Sequence, residues 1–286
     1  MEQVLLVTLN GLTLAGVYFL VASGLTLIFG LMRVITLAHG TSFLLGGYLG
    51  YVIATATGNW VIGALGGAIA VGFLGLLIYH GLIRRFQNDD MRVALITLGV
   101  AIIGTDLMMA SFGGLATQVP IEANVRQGVD VPFIGQYPLI RLLVLGIAIV
   151  VGVALTLFIS RTRFGSRVRA GVDDSQMASA TGVNVRVVFT VIFFLGSALA
   201  GFAGVVGGTL FPLQPGQDGT YLLYSLVVVI VGGMGSIPGA AVGAVLVGLV
   251  SQYTLVLAPT YALVLTFALM VVVLAFRPQG ILGRTA

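Results

Sequence analysis

The sequence predicts an all-α fold, a polytopic bundle of transmembrane helices with about eight or nine membrane segments. Two observations predict it. Of the 286 residues, 58% are hydrophobic and only 8% are charged, whereas roughly 25% of residues are charged in an average soluble domain. Apolar runs such as residues 139–159 and 188–211 reach the ~20 residues that cross a ~30 Å hydrocarbon core. A water-soluble fold of this size cannot bury so much apolar surface, so the sequence predicts one membrane domain over residues 1–286.

Breaks in hydropathy divide the chain into nine predicted membrane segments. Two of them, residues 41–57 and 221–234, are short by the length criterion. Each of these two is predicted either to cross fully or to form a half-helix or re-entrant turn. No internal repeat is evident in the sequence. The predicted segments are 6–30, 41–57, 60–83, 93–112, 139–159, 188–211, 221–234, 237–257 and 260–276.

The arginines predict the orientation of these segments. The chain has no lysine, so all thirteen cationic side chains are arginine. Cytoplasmic loops near membrane ends are enriched in arginine, so if the arginine-bearing loops share a side, that side is cytoplasmic. The N-terminus and loop 113–138 are then outside, the C-terminus is inside, and only Arg126 and Arg141 lie towards the outer face. The predicted cytoplasmic arginines are Arg33, Arg84, Arg85, Arg92, Arg161, Arg163, Arg167, Arg169, Arg186, Arg277 and Arg284.

The absence of cysteine and lysine excludes several functional classes. Without cysteine there is no disulfide, thiolate metal site or thiol nucleophile. Without lysine there is no phosphate-binding loop of the Walker type, because that loop needs a lysine for the terminal phosphates. The two histidines, His39 and His80, have no matched acid or metal-ligand spacing. The sequence therefore predicts neither a catalytic site, nor a metal, nor a cofactor.

Residues 160–187 are predicted to form a cytoplasmic loop, because five arginines at ~2.5–3.5 kcal/mol each oppose insertion. Within it, Asp173 is predicted to cap a helix of about two turns, with Gln176 three residues later as in a capping box. Gly182 is predicted to end this helix in a left-handed conformation. So short a helix is marginal alone in water. We expect it to dock, on its own membrane domain or on a separate protein; an ordinary positively charged loop is the alternative.

Glycine makes up 41 of the 286 residues, about twice the usual ~7%. Four-residue spacings, as at Gly204 and Gly208 or Gly239 and Gly243, predict close packing of helices. The cluster from Gly232 to Gly239 differs, because four glycines and a proline interrupt the helical pattern. Interrupted backbone at membrane depth is tolerated only beside protein or a water-filled cavity. Gly233 and Ser236 are therefore candidates for lining a pathway, and a sharp turn at a membrane face is the alternative.

Two ionisable residues in apolar surroundings are further candidates. His39 falls in the break from Thr36 to Thr41, where it either faces a solute path or makes a structural contact. Asp106 stands inside an otherwise apolar helix. An ionisable group at that depth is costly and suggests a pathway or a buried partner. Arg141 is the candidate partner for Asp106.

Four pieces of the sequence, in their order and spacing, carry a resemblance over nearly the whole chain. In these four pieces the chain resembles the LivH type of permease from bacterial ABC importers of branched-chain amino acids. The pieces are Ala38-His39-Gly40, the loop from Arg163-Phe-Gly to Gly182-Val-Asn184 with Asp174, Met177, Ala178 and Ser179 matching, Gly232 to Gly243, and Gly280-Ile-Leu-Gly-Arg284.

The resemblance implies a multi-pass permease subunit in the bacterial inner membrane that is not itself an enzyme. It also implies a second, related permease, two cytoplasmic ATPase subunits and a periplasmic solute-binding protein as partners. In such importers a short cytoplasmic helix transmits closure of the ATPases, and residues 173–181 match its position. The residues thus implicated in ATPase coupling are Arg167, Arg169, Asp173, Asp174, Met177, Ala178 and Gly182.

Departures from the family pattern leave the solute open. Family members commonly have Asn-Phe-Ala-His-Gly-Glu where this chain has Thr36, Leu37 and Thr41, and often a lysine at the position of Tyr224. Asp106 falls where an uncharged amide is usual. The solute is therefore a branched-chain or other small amino acid or, alternatively, urea, an amide or another small polar molecule. The predicted pathway residues are His39, Asp106, Tyr224, Gly233 and Ser236.

Two other functional classes have weaker support in the sequence. A stand-alone secondary transporter usually has more than one intramembrane ionisable residue for coupling, and only Asp106 qualifies in the sequence. An intramembrane hydrolase needs a nucleophile and a base at matched depth, for which Ser236 and His39 are the nearest candidates. The sequence leaves open whether the permeases pair as a homodimer or a heterodimer.

Overall fold

The computed structural model describes residues 2–32, 34, 36–86, 89–122, 125, 127–132 and 135–283. These residues form a bundle of α-helices with one small antiparallel hairpin of β1 Gly128–Val131 and β2 Gly135–Pro138. A π-helical turn, Tyr79–Ile83, extends α3, and a 3-10 turn, Pro259–Tyr261, leads into α11. The helices are α1 Glu2–Met32, α2 His39–Thr57, α3 Trp60–Ile78, α4 Asp90–Phe112, α5 Leu139–Arg161, α6 Arg163–Asp173, α7 Ser175–Ala180, α8 Val185–Leu210, α9 Asp218–Gly232, α10 Ile237–Leu257 and α11 Ala262–Phe276.

The membrane helices confirm the predicted fold class. Within the described residues, seven helices are long and apolar enough to cross a membrane: α1, α3, α4, α5, α8, α10 and α11 with their short extensions. The two segments predicted to be short, α2 and α9, are not in this set. All nine predicted segments begin and end within a few residues of an observed helix. The number of full crossings and the orientation stay predictions.

The described arginine-bearing loops lie on one face of the bundle, which we call the arginine face. A buried cluster of Ile28, Tyr79, Val93 and Phe193 joins the end of α1, the end of α3, the start of α4 and the start of α8 there. Helix α6 follows α5 on the same face and contacts α1 and α8. The loops therefore share a side, which is the condition on which the predicted orientation depends. Arg33, Arg126 and Arg284 lie outside the described residues.

Helix α2 begins inside the bundle rather than at its face. The Nε2–H group of His39 donates to the carbonyl oxygen of Val21 at 2.9 Å. Val21 lies eleven residues before the end of α1 at Met32, which at 1.5 Å per residue is about 16 Å from that end. The chain therefore turns back into the bundle after α1, and α2 leads from the interior to the face where α1 begins.

Helix α9 also begins inside the bundle. A Cβ atom on Gly40, in the first turn of α2, would overlap the carbonyl oxygen of Asp218, the first residue of α9. The segment between α8 and α9 is drawn inwards, since the hydroxyl of Tyr48 donates to the carbonyl of Leu213 at 3.2 Å. With 15 residues, α9 is about 22 Å long, which is too short for the hydrocarbon core. The length of α9 favours the half-helix option for residues 221–234, which stays a prediction.

The two halves of the bundle follow the same path in opposite directions. Helix α1 runs through the bundle to the arginine face, the chain turns back inwards, α2 leads to the opposite face, and α3 and α4 run through the bundle in turn. Helices α8, α9, α10 and α11 repeat this course from the arginine face. The packing follows the same relation, because α3 lies against α8 as α10 lies against α1, while α2 and α9 meet at their first turns. The inverted course is a property of the path and has no counterpart in a detectable sequence repeat.

Glycines allow the central helices to cross with their backbones in contact. A Cβ atom on Gly204 of α8 would overlap the carbonyl oxygen of Phe43 in α2, and one on Gly24 of α1 would overlap the carbonyl oxygen of Gly196 in α8. A Cβ atom on Gly243 would lie 2.5 Å from the carbonyl oxygen of Val228. The prediction that most glycines serve close helix packing is therefore confirmed at these crossings.

The hairpin after α4 fastens the outer loop to α1. The hydroxyl of Tyr137, at the end of β2, donates to Oδ1 of Asn10 at 3.0 Å. The guanidinium of Arg141 donates to the same oxygen. The predicted pairing of Arg141 with Asp106 is therefore wrong, because α5 packs against α1, and this places Arg141 beside Asn10. The hairpin itself was not predicted.

Candidate functional site

The predicted coupling loop contains two helices instead of one. Helix α6 begins at Arg163 and is capped by the hydroxyl of Thr162, which accepts from the Gly165 N–H at 2.9 Å. Helix α7 begins at Ser175, and the carboxylate of Asp174 accepts from the N–H groups of Gln176 and Met177, both at 2.9 Å. The predicted capping residue is therefore wrong by one position.

The cap lies at Asp174 because of the local backbone conformation. Asp173 is the last residue of α6, whereas Asp174 has the extended conformation (φ −153°, ψ 104°) that an N-cap needs. At the other end, Gly182 has φ +88°, and the Val183 N–H donates to the Ala178 carbonyl at 3.0 Å. The left-handed end of the helix at Gly182 is thus confirmed.

Removing this cap should loosen α7 locally. We expect Asp174→Ala to cost about 1 kcal/mol of helix stability, which corresponds to about fivefold faster amide hydrogen exchange in α7. Asp174→Asn is the matched control, because asparagine caps as well as aspartate. Hydrogen exchange measured by mass spectrometry on the purified protein tests this; equal protection in the alanine variant would show that the contact does not hold the helix.

The side chains of α6 and α7 divide into anchors and exposed groups. Ala178 is only 4% exposed, whereas Met177, one residue earlier, is 63% exposed. The guanidinium of Arg169 donates to the carbonyl of Ile159 in the last turn of α5. Arg167 is exposed. Of the predicted coupling residues, Arg169 therefore holds α6 on the end of α5 and Ala178 is buried, whereas Met177 and Arg167 are exposed.

Two predicted pathway residues lie in packed surroundings. His39 is 2% exposed, and its ring fits beside Gly24 of α1, where an added Cβ atom would lie 3.1 Å from Cε1 of the histidine. Tyr224 of α9 stacks on Tyr18 of α1 with ring centroids 4.7 Å apart. The contact of His39 matches the structural alternative of the sequence analysis. For both residues a pathway role stays a prediction.

Gly233 and Ser236 lie in the turn between α9 and α10. The hydroxyl of Ser236 accepts from the Gly239 N–H at 3.1 Å and so caps α10. Gly233 has φ +108°, and a Cβ atom there would overlap the backbone of Gly283. The segment after α11 is bonded alongside, with the Ile281 N–H donating to the carbonyl of Val231 at 2.9 Å. This geometry is the sharp turn at one face of the bundle that was the alternative interpretation.

A polar cluster that sequence reasoning missed joins α2, α4 and α9. The hydroxyl of Thr41 donates to Oδ2 of Asp218 at 2.9 Å. The hydroxyl of Thr105 lies 2.8 Å from the same oxygen and 2.9 Å from the carbonyl of Ala101, so its single proton is shared. Asp106, the next residue of α4, is exposed. An aspartate directly before a segment too short to cross was the signal that could have revealed the cluster.

A solved structure shares the fold. The chain superimposes on the structure titled "PsaBC from Streptococcus pneumoniae in complex with Fab" with a TM-score of 0.54, covering 94% of this chain and 91% of that one. The sequence identity is 13%, so this likeness concerns the fold alone.

Known sequences identify the family. The family model described as "Branched-chain amino acid transport system / permease component" matches residues 7–274. The chain is 31% identical to the high-affinity branched-chain amino acid transport system permease protein LivH of Escherichia coli K12, covering 96% of this chain and 94% of that one. LivH of Salmonella typhimurium is 30% identical and BraD of Pseudomonas aeruginosa 29%, with the same coverage. The chain therefore belongs to the permease components of branched-chain amino acid transport systems and is a multi-pass protein of the inner membrane.

Proposed function

We propose that this chain is the membrane-spanning pore subunit of an ATP-driven importer of branched-chain or other small amino acids. Its companions are a second permease of the same family, two cytoplasmic ATP-binding subunits and a periplasmic binding protein. Family membership over residues 7–274 supports the proposal. The chain itself lacks the lysine of a Walker loop, so ATP is hydrolysed on the companion subunits.

The observation that carries the proposal is the exposed face of α7. An isolated helix of six residues is not stable in water, and α7 packs against α6 and α8 with Ala178 buried on one side. Its other side presents Gln176, Met177 and Ala180 to the surroundings. A large apolar side chain among polar ones, at the tip of an arginine-rich loop, suits a groove on a partner protein. The arginine face is then cytoplasmic, where the ATP-binding subunits lie.

Helix α6 provides a stiff connection from α7 to the membrane helices. Val168 is buried, and a Cβ atom on Gly165 would overlap the carbonyl oxygen of Ile159 at the end of α5. The bond from Arg169 to that carbonyl fixes the same contact. A displacement of α7 by a closing ATPase pair therefore reaches α1, α5 and α8, which α6 contacts. Such rigid-body movement of packed helices is a common form of switching.

Reconstitution tests the proposed function. The chain is placed in proteoliposomes with its companion permease, ATP-binding subunits and binding protein, and ATPase stimulation and solute uptake are measured over a panel of amino acids, amides and urea. We expect uptake of branched-chain or other small amino acids that needs both ATP and the companions.

The control is the same chain reconstituted alone with an ion gradient. Asp106 lies within α4 and Asp218 at the inward start of α9, and carboxylates at such positions make this control informative about secondary transport. Uptake at the full rate by the chain alone, without nucleotide, would contradict the proposal.

A further inference from the structure

Asp218 presents a carboxylate at membrane depth from the first turn of α9. Its Oδ2 atom accepts from Thr41 at 2.9 Å and contacts the Thr105 hydroxyl at 2.8 Å. Thr105 lies seven residues before the end of α4 at Phe112, which at 1.5 Å per residue is about 10 Å from the end of that helix. On α2, Thr41 follows His39, which is bonded to the middle of α1. The carboxylate therefore lies within the hydrocarbon zone.

The close approach of the three helices fixes the position of this carboxylate. A Cβ atom on Gly40 would overlap the backbone carbonyl oxygen of Asp218, and one on Gly104 would lie 2.6 Å from Cγ2 of Thr41. Thr41 itself is buried. The two threonines and their glycine neighbours thus orient Oδ2, while Oδ1 of Asp218 receives no hydrogen bond from the described residues.

No cation of the chain neutralises this site within the described residues. Among the described residues, the ion pair that forms joins Arg92 to Asp89, and it lies at the arginine face. Asp218 is half-buried, and the neighbouring Asp106, Gly219 and Thr220 are exposed. An aspartate that faces lipid at membrane depth is energetically unfavourable. This surface is therefore one that water or a polar ligand covers, in contrast to the apolar surface around it.

We infer that Asp218 is the contact for the ammonium group of the transported solute, positioned by Thr41 and Thr105. The inference rests on the proposed function and specifies its solute class. An ionised carboxylate only accepts hydrogen bonds, and its free oxygen offers an ammonium group a charge-assisted bond. A zwitterionic amino acid provides that group, whereas urea and neutral amides do not. A single half-exposed contact holds the solute weakly, as release to the cytoplasm requires.

Cysteine labelling tests the contact without relying on transport. The chain has no cysteine, so Gly219→Cys adds a single thiol beside Asp218, and a Cβ atom at Gly219 meets nothing within 4 Å. The probes are two methanethiosulfonates, one with an ammonium group and one with a sulfonate, applied to the assembled transporter. We expect the ammonium reagent to react about tenfold faster, and Asp218→Asn to bring the two rates close together.

Matched controls separate the effect of the Asp218 carboxylate on labelling from effects of charge or exposure elsewhere in the chain. Gly146→Cys in α5 also points into open space, but its neighbours Leu143, Ile149 and Val150 form an exposed apolar surface, so neither charged reagent should label it. Asp130→Asn on the hairpin removes one charge elsewhere and should leave the ratio at position 219 unchanged. Thr220→Cys, also exposed, replaces Gly219→Cys if that variant does not fold. Absence of labelling by both reagents at 219 and 220 would overturn the inference, because the surface would then face lipid or a subunit.

Uptake by the Asp218→Asn variant completes the test, since asparagine can still accept from Thr41. We expect amino acid uptake to fall about tenfold with unchanged thermal stability and assembly. A fall in uptake without a change in the labelling ratio would assign Asp218 a structural role and overturn the inference, as would full uptake by the variant. If the unmodified chain with its companions imports no amino acid, the proposed function fails, while the labelling ratio still decides the ammonium contact.

Discussion

Replacing Met177 with aspartate is expected to lower ATP-driven uptake about a hundredfold while leaving the protein folded in the membrane. The side chain is 63% exposed, so the chain's own fold loses no packing. At a docked interface the new carboxylate would be buried without a partner, which costs roughly 2–5 kcal/mol, and a hundredfold loss corresponds to about 2.7 kcal/mol. ATPase stimulation and uptake in proteoliposomes, with the melting temperature of the purified protein, measure the effect.

Two variants serve as controls for Met177→Asp. Met91, at the start of α4 on the arginine face, is 76% exposed, and Met91→Asp should leave uptake near the unmodified level. Ala178→Asp should lower the melting temperature as well as uptake, because Ala178 is buried within the chain's own fold. Normal coupling in the Met177→Asp protein would show that α7 does not dock on the ATP-binding subunits.

Gly204→Ala is expected to destabilise the bundle by roughly 3 kcal/mol or more, at or above the usual range for overpacking. The added methyl group would overlap the carbonyl oxygen of Phe43 and would also lie 2.8 Å from the backbone nitrogen of Gly47. Both atoms belong to the backbone of α2, which cannot yield as a flexible side chain does. Helices α2 and α8 must therefore separate. Thermal unfolding of the detergent-solubilised protein, followed by size-exclusion chromatography, measures the loss.

Gly99→Ala and Gly146→Ala are the matched controls for Gly204→Ala. Both glycines lie in membrane helices, and a Cβ atom on either meets nothing within 4 Å. Alanine is the better helix former by roughly 1 kcal/mol, so these variants should be unchanged or slightly more stable. Equal melting temperatures for all three variants would contradict backbone contact between α2 and α8.

The membrane segments could be predicted from sequence because their ends are marked locally. Residues 237–257 were predicted with the bounds that α10 has, since a glycine-rich turn precedes them. The left-handed residue Gly182 was likewise visible. Asp173 and Asp174 were harder to distinguish, because two consecutive aspartates are equal capping candidates by type, and only the extended backbone at the second decides between them.

Contacts between distant residues could not be predicted in this way. Thr41 and Asp218 are 177 positions apart, and Asn10 and Arg141 are 131 apart. Hydropathy records which residues avoid water but not which helices become neighbours. The proposed pairing of Arg141 with Asp106 used charge alone and was wrong. The Asp218 cluster was missed because the predicted membrane segment begins at residue 221, whereas α9 begins at Asp218.

Because α2 begins inside the bundle, the order in which the helices are synthesised affects how the chain folds. Helix α2 emerges from the ribosome more than a hundred residues before α8, yet α2 packs against α8, where Gly46 meets Gly201. Helix α2 is not among the helices that are long and apolar enough to cross a membrane. The first half of the nascent chain therefore stays incompletely packed until α8 has been synthesised. A chain that stops before residue 185 should therefore be recognised and degraded by membrane proteases, even though it contains four complete hydrophobic spans.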